Sequence, residues 1–598
     1  MSDGLRLTDT QRRAAIERID ENIALRSGAG CGKTFVLARR YTELLLVGED
    51  EEKMQRLVAL TFTDKAAVEM SQRVRRMLLE RAGKATGAQR QRLLRWVDEL
   101  PSARISTIHS FCSGILRSHA VEAGVDPAFA VATDDTFVNR LVEEAVDQAV
   151  LSGVESERPG LDRLLGELRF TQICELTVQL VRQRLDWRPE RLGDPQAVGR
   201  QWEELSDRER QAAWRRLEAD TQLAEELDRL LAVPCYAAED ELHAWRVEKL
   251  ALAQRLLEDP RARTPEAFRL LTETPGRRGK DANWGEKGSA TRMRHALKDV
   301  LDRLCEYAIY AEQPNDLDAE AAEIVCGLSR LATDAIELYG REKRRRGMLD
   351  FTDLLHLTGE LLREQPEIRR RIGSQIDQLL IDECQDTDAF QAMLLVAQLL
   401  SDGTDRPPEP GRLFLVGDVK QSIYRFRGAQ VDIFRRLCNM LGEPQAESLD
   451  LSFRTHCAGV GFVNHLFGEM MGEEYDAIQA FRHQPPPQPS VEILLARPAK
   501  DPGNGKLDAE QVIQLQAALT AQRIHEMLEK REPVVWDGQA DRYRAVRPGD
   551  IAILFGRMTQ SLPFERQLAL RGVPYYVVAG TGFFRQQEVF DILNALKA

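Results

Sequence analysis

The stretch "QLLIDECQDTDAFQ" sets Asp382 and Glu383 directly after an apolar run, with Asp386 and Asp388 close behind. Paired carboxylates at a strand end can hold a metal, do acid–base chemistry or simply face water. A second stretch, "RSGAGCGKTFVLARRYTELL", places Gly28, Gly30 and Gly32 ahead of Lys33 and Thr34. Glycines in such a loop permit turns that expose backbone N–H groups, and the helix that starts beyond them adds partial positive charge. Gly28, Ala29, Gly30, Cys31 and Gly32 therefore read as a phosphate cradle, with Lys33 reaching the β- and γ-phosphates and the Thr34 hydroxyl holding Mg²⁺. The strict spacing GxxxxGK[ST] fails at its first position, where the chain has Ser27. The plain alternative is a glycine-rich turn that ends a strand. Cys31 reads as a small filler, because bound phosphate would oppose a thiolate beside it.

Beside a phosphate loop the acid pair acquires a use. A nucleotide site needs a carboxylate in the metal shell and a group that positions or activates water. Asp382 and Glu383 can supply both. A retaining glycosidase pair and a solvated acidic turn are the competing readings. Adjacent residues on a strand point to different sides, which suits two separate roles better than two acids flanking one sugar. Cys384, between them and Gln385, is expected to turn toward the core.

These residues need elements to hold them. "NIALR", "RLVALTFT", "ARISTIHS", "QLLID" and "GRLFLVGD" are short apolar runs ending in polar or small residues, separated by helical patterns. That alternation predicts an α/β fold with a parallel sheet and its sites at the strand C-termini. From about Val121 to Arg341 the texture turns to Leu, Ala, Arg and Glu, which predicts an all-helical insertion containing one loop, "TPGRRGKDANWGEKGSATR". Beyond the Pro-rich "RHQPPPQPS", the runs "VEILLAR" and "DIAILFGR" flank a helical segment and predict a second α/β unit.

At 598 residues the chain is too long for a single core, and 43% apolar with 30% charged residues describes an ordinary globular protein. No long uncharged apolar run or signal-peptide core occurs, so no membrane partner is expected. The nine cysteines form no CxxC pair, which argues against a zinc site and fits the cytoplasm. A net charge of −13 leaves a local basic groove open.

The polar strand ends now form a series: "LTDTQ", "ALTFTDKAAVEM", "ISTIHSFCSGIL", "IDECQDTD", "LFLVGDVKQSIYRFRGA" and "LSFRT". In this order they resemble the superfamily 1 helicases of the UvrD/Rep type, and "STIHSFC" and "DVKQSIYRFRGA" look most like the branch that includes the RecB and AddA helicase–nuclease subunits. The resemblance implies a RecA-like P-loop parallel-sheet core formed by 1–120 and 342–447, a helical insertion at 121–341, and from 448 to 598 an incomplete second RecA-like domain with the start of a further helical insertion. It implies an ATP-dependent, 3′→5′ DNA helicase or translocase of recombination and double-strand-break repair, with ATP and Mg²⁺ as cofactors. The implied partners are DNA, single-stranded and at duplex ends, and a second helicase–nuclease subunit.

Residue by residue, the resemblance implies that Gln11 reads the adenine edge and Lys33 and Thr34 bind phosphate and Mg²⁺. Asp382 completes the metal shell, Glu383 activates water, and Gln421 senses the γ-phosphate. Arg454 is implied as an arginine finger and Phe453 as a ring stacked on adenine. On the DNA side, Phe62, Tyr424 and Phe426 are the implied base-contacting aromatics, and Thr63 and His109 the strand contacts. The bland counterparts are core packing for the rings, a helix-surface place for Gln11, and an ion pair with Asp450 for Arg454. "EKRRRG" (342–347) is either a phosphate-tracking patch or a solvated helix end. In this family the second motor domain resumes after a further insertion and a nuclease domain can follow. Neither is seen here, so the expectation is a fragment that binds nucleotide weakly and does not unwind DNA alone. The alternative is a non-catalytic DNA-binding or scaffolding protein with a relic ATP site.

Overall fold

The computed structural model describes residues 7–598 except 49, 51, 157, 159, 185–188, 314, 387–398, 403–405, 423–430, 442–445, 473–474, 488, 497–507, 579–591, 593–594 and 597–598. The chain divides into two compact units, Met1–Pro127 with Leu354–Ala598, and Ala128–Asp353.

The first unit is built on a six-stranded sheet of β1 (Ile23–Ser27), β2 (Leu57–Thr61), β3 (Arg104–Thr107), β4 (Gln378–Ile381), β5 (Leu413–Gly417) and β6 (Ala446–Leu449). The strand order is β3-β2-β4-β5-β1-β6, and every pairing is parallel. Strands β2, β4 and β5 are buried along their whole length. Helices cover both faces of such a sheet, which is why these strands are unbroken apolar runs rather than alternating ones. The Lys33–Leu46, Asp64–Lys84 and Gly87–Glu99 helices share one apolar core with Leu25, Ala59, Leu380, Phe414 and Val416. All five strands predicted for this sheet are present. The sixth, β6, has no counterpart among the predicted runs, and the boundary expected at 447/448 falls inside it. Inserting β5 between β1 and β4 sets the phosphate loop and the acid pair two strands apart, with the loop after β5 between them.

The 448–598 segment carries a parallel pair, β7 (Leu451–His456) with β8 (Gln479–Arg482). An antiparallel pair, Val535–Asp537 with Arg542–Arg544, is an addition to the predicted elements. The strands expected at "VEILLAR" and "DIAILFGR" do not form ladders among the described residues. Ile551 and Ile553 pack against Ala521, Ile524 and Leu568, while the neighbouring Leu554 is 91% exposed. The alternation is real, but one covered face without a paired edge leaves the segment extended rather than in a sheet.

Among its described residues the second unit has helices and one two-residue strand pairing, Ala130–Val131 with Met348–Leu349. Among these described residues three apolar clusters hold it, one around Leu227, Phe268, Leu297 and Leu301, one around Val146, Ile173, Leu331 and Tyr339, and a small one of Val198, Ala322 and Cys326. The division expected at 341/342 lies inside the Asp316–Arg345 helix, whose pattern runs on until Gly347 turns left-handed (φ 61°). Beyond that turn Asp350 is buried against Arg184 at 2.6 Å, Lys343 at 2.9 Å and the Tyr339 hydroxyl at 2.7 Å. In the "EKRRRG" segment one cation is withdrawn into the unit, while Arg344, Arg345 and Arg346 stay exposed at the helix end. Lys343 is buried on Asp350, and Arg345 and Arg346 are held by Glu342. Among the described residues no helix is long and apolar enough to cross a membrane.

Candidate active site

β1 ends at Ser27, and the chain turns through Gly30 (φ 77°) and Gly32 (φ 84°) into the Lys33–Leu46 helix. Left-handed backbone at these points favours glycine, and the turn gathers backbone N–H groups above a helix N-terminus. The loop is braced from the far side by the β6–β7 segment. Gly28 N–H donates to the Leu449 carbonyl at 3.0 Å, Phe453 N–H to the Gly30 carbonyl at 3.0 Å, and Ser452 Oγ to the Ala29 carbonyl at 2.9 Å. A Cβ at Gly30 would stand 2.4 Å from Arg454 Cβ, so this glycine is required by space as well as by conformation.

Two contacts join the loop to the acid pair. Lys33 Nζ lies 2.7 Å from Glu383 Oε2, and Thr34 Oγ1 donates to Asp382 Oδ2 at 3.2 Å. The geometry differs from two side chains alternating on a strand. β4 stops at Ile381, and Glu383 adopts φ 50°, a left-handed turn that directs both acids toward neighbouring residues of one helix. Such a backbone is unusual for a non-glycine residue and costs on the order of 1 kcal/mol, held in place by the surrounding bonds. Asp382 is 5% exposed. Burial and then the charge of Glu383 push its pKa up to about 6, against the pull of Lys33 and Thr34. A hydroxyl and a carboxylate sharing one point form the hard-oxygen set that suits Mg²⁺, which keeps several waters and needs few protein ligands. Thr34 and Asp382 therefore fit the predicted metal role.

A chain of hydrogen bonds continues from Glu383. Its Oε2 accepts from Gln385 Nε2 at 2.9 Å, Gln385 Oε1 accepts the Asp418 N–H at 2.8 Å, and Asp418 Oδ2 accepts from Gln421 Nε2 at 2.9 Å. Gln421 is thus tied to the water-activating candidate through two side chains. Asp418 is a residue that sequence reasoning missed, although its place after "LFLVG" repeats the strand-end pattern of Asp382. Asp386 lies beside this chain with a buried, unpartnered Oδ1 among the described residues. Burial, reinforced by Glu383, pushes its pKa up to about 6. Cys384 is buried at 1% exposure, as expected. Cys31 is equally buried, and that burial pushes its thiol up to about 11, which fits a filler.

Gln11 closes the other side. Its Nε2 donates to the Cys31 carbonyl at 3.0 Å and its Oε1 accepts the Thr8 N–H at 3.1 Å. It is buried rather than on a helix surface. Phe453 and Arg454 follow on β7. The Phe453 ring packs on Phe481 with centroids 4.9 Å apart. Arg454 is exposed, and its proposed bland partner, Asp450, instead accepts from Gln479 at 2.8 Å.

Three of the five predicted DNA contacts, Phe62, Thr63 and His109, follow the ends of β2 and β3, where Thr61 pairs with Thr107. Phe62 is half-buried beyond β2, and Thr63 Oγ1 accepts the Ala66 N–H at 3.1 Å, capping the Asp64–Lys84 helix. His109 stands beyond β3, its pKa lowered by burial and partly restored by Asp64. Tyr424 and Phe426 lie outside the described residues.

Comparison with protein-family models matches residues 7–441 to the UvrD/REP helicase N-terminal domain. Among curated proteins the chain is similar to an ATP-dependent helicase/nuclease subunit of Geobacillus kaustophilus (strain HTA426), 28% identical over 655 positions covering 99% of this chain and 51% of the relative. It is similar to the protein of the same name in Bacillus cereus (strain AH820), 27% identical over 646 positions covering 100% of this chain and 50% of the relative. The chain spans about half the length of the curated relatives it matches.

Proposed function

The chain belongs to the UvrD/REP helicase family, and from that membership we propose that it forms the nucleotide-binding motor portion of an ATP-dependent DNA helicase or translocase. The proposed direction is 3′→5′ along single-stranded DNA entered from duplex ends, in recombination and double-strand-break repair. A second helicase–nuclease subunit is the proposed partner, as the names of the relatives suggest. The cytoplasm, where DNA is accessible and the free cysteines stay reduced, is the proposed compartment.

One observation carries this reading. Lys33 and Thr34 meet Glu383 and Asp382 across about 350 residues of chain, at 2.7 and 3.2 Å. That is the pairing ATP hydrolysis needs, and a core ion pair alone does not explain the added hydroxyl. Thr34 and Asp382 would hold Mg²⁺, which when bound would neutralise phosphate charge. Lys33 would exchange its bond to Glu383 for the β- and γ-phosphates. Glu383, released, would take a proton from the attacking water, and Gln385, Asp418 and Gln421 would relay that change toward the DNA face. Arg454 would bring positive charge to the phosphate from β7, and Gln11 would face the base.

The test is ATP hydrolysis with and without single-stranded DNA, comparing the chain with its Glu383→Gln variant. The expected result is DNA-stimulated hydrolysis that the substitution abolishes. Hydrolysis indifferent to both would leave the relic-site scaffold as the better account.

A further inference from the structure

Arg40 belongs to no strand-end motif, and "VLARRYTE" reads as an ordinary stretch of helix. It lies seven residues, about two helical turns, beyond Lys33 on the Lys33–Leu46 helix. Its side chain is fully buried, at 0% exposure. Nε donates to Gln378 Oε1 at 2.7 Å. Nη1 donates to the carbonyls of Ala14 at 2.6 Å and Arg18 at 3.0 Å. Nη2 donates to the carbonyls of Ile19 at 2.8 Å and Glu21 at 3.0 Å. A guanidinium has five N–H donors, and these five bonds use them all. The plane of the group is covered by the Phe414 ring at 4.6 Å.

A buried guanidinium with only neutral acceptors is an expensive feature, so what it holds matters. The four carbonyls, at residues 14, 18, 19 and 21, lie just beyond Gln11 in the same N-terminal segment. That segment runs through the Asp9–Arg12 helix into a widened turn, Arg13–Glu17, in which Arg18 N–H reaches back to the Arg13 carbonyl at 3.0 Å. Widened turns of this kind leave helix carbonyls seeking donors, and Arg40 supplies them. At the front of the segment a single neutral bond joins Gln11 to the Cys31 carbonyl of the phosphate loop. Gln378 opens β4, the strand that leads to Asp382 and Glu383, and its amide also donates to the Gly411 carbonyl. Arg40 therefore ties together the Gln11 segment, the helix that follows the phosphate loop and the strand of the acid pair.

We propose that Arg40 is a positioning residue for nucleobase selection: its clamp on the carbonyls of residues 14, 18, 19 and 21 keeps Gln11 in register with the phosphate loop. The inference rests on the reading of the loop as an ATP site and adds a residue that touches no part of the nucleotide. Loosening the clamp should impair recognition of the base and leave recognition of the phosphates intact.

The experiment measures equilibrium binding of ATP, GTP and inorganic tripolyphosphate to the full chain and to its Arg40→Lys, Gln378→Leu, Gln11→Ala and Arg40→Lys/Gln11→Ala variants. Lysine keeps the charge and loses the fork, and Gln378→Leu removes only one of the five partners, so a folded variant is retained if one fails. The expected result is an ATP-over-GTP preference that falls roughly tenfold in Arg40→Lys, the scale of one lost charge-assisted bond. Tripolyphosphate affinity should stay unchanged, and Gln11→Ala should cost no further selectivity when Arg40 is already replaced. Equal weakening of all three ligands, or additive losses in the double variant, would overturn the proposal. A chain that selects ATP through Gln11 while Arg40→Lys remains selective sinks this inference alone. A chain that binds no triphosphate sinks the ATP-site reading with it.

Discussion

Lys33 Nζ sits 2.7 Å from Glu383 Oε2, so the cation of the phosphate loop and the candidate base for water are each other's partners. The pair is partly buried, and Glu383 shares the same oxygen with Gln385. In the proposed reading, a phosphate competing for Lys33 would free Glu383 for chemistry. Replacing Glu383 by Gln keeps the shape and removes the charge. Hydrolysis should fall by about 10²- to 10⁴-fold, the usual worth of a positioned base, while nucleotide affinity holds or rises because Lys33 loses its competitor. Phosphate release and nucleotide titration on the same samples check this.

Gly30→Ala should cost nucleotide binding more than about tenfold, because its Cβ would meet Arg454 Cβ at 2.4 Å and Ser452 Oγ at 2.9 Å on a left-handed backbone. Gly48→Ala is the matched control. Gly48 has φ 79°, and a Cβ there would meet nothing within 4 Å among the described residues, so it should cost only backbone strain, about 1–2 kcal/mol, and leave binding alone. Equal effects at both positions would show that conformation, not the packing of β7 on the loop, sets the requirement.

The buried Asp350 makes stability of the helical unit depend on pH. Burial raises its pKa, but the charges of Arg184 and Lys343 and the bonds from Lys343 and Tyr339 outweigh it, leaving the carboxyl below its ordinary value. A depressed folded pKa means that the stabilisation is complete above the unfolded value, near about 3.9. It is lost as pH falls through the folded value. Asp350→Asn should destabilise the unit at neutral pH by about 3–5 kcal/mol, the cost of breaking a buried pair from one side. It should also flatten the acid limb of stability, read from denaturant melts between neutral and strongly acid pH.

Asp240 organises the basic loop between the Pro265–Leu271 and Ser289–Cys305 helices. Its carboxylate accepts from Leu242 N at 3.0 Å, His243 N at 3.1 Å, Lys280 N at 3.2 Å, Asn283 Nδ2 at 2.8 Å and Trp284 Nε1 at 3.1 Å. Asp240→Ala leaves buried donors unpaired, at about 1–3 kcal/mol for each that finds no water. Amide hydrogen exchange across 280–288 should accelerate, while the phosphate-loop amides, in the other unit, should not change. Protection retained over 280–288 would mean that the loop is held by its apolar anchor, Trp284, instead.

The sequence by itself determined which residues make up the candidate site and most of the sheet. Glycine spacing before Lys33 and Thr34, and acids after an apolar run, are local facts, and strands buried on both faces announce themselves as unbroken apolar runs. Family membership was legible for the same reason, since the motifs sit at strand ends in a set order. Only the tertiary structure decided how the parts meet. Glu383 faces Lys33 because a left-handed turn ends β4 early, which no residue type in "IDECQ" announces. β6 joins β1, and "DIAILFGR" finds no ladder among the described residues, because strand pairing depends on which edge is free rather than on composition. Arg40 was invisible because four of its five hydrogen bonds go to backbone carbonyls, which every sequence has, and the fifth goes to Gln378, 338 residues away in the chain. Side chains that bind side chains leave a trace in residue types, and those that bind the main chain leave one only in the fold.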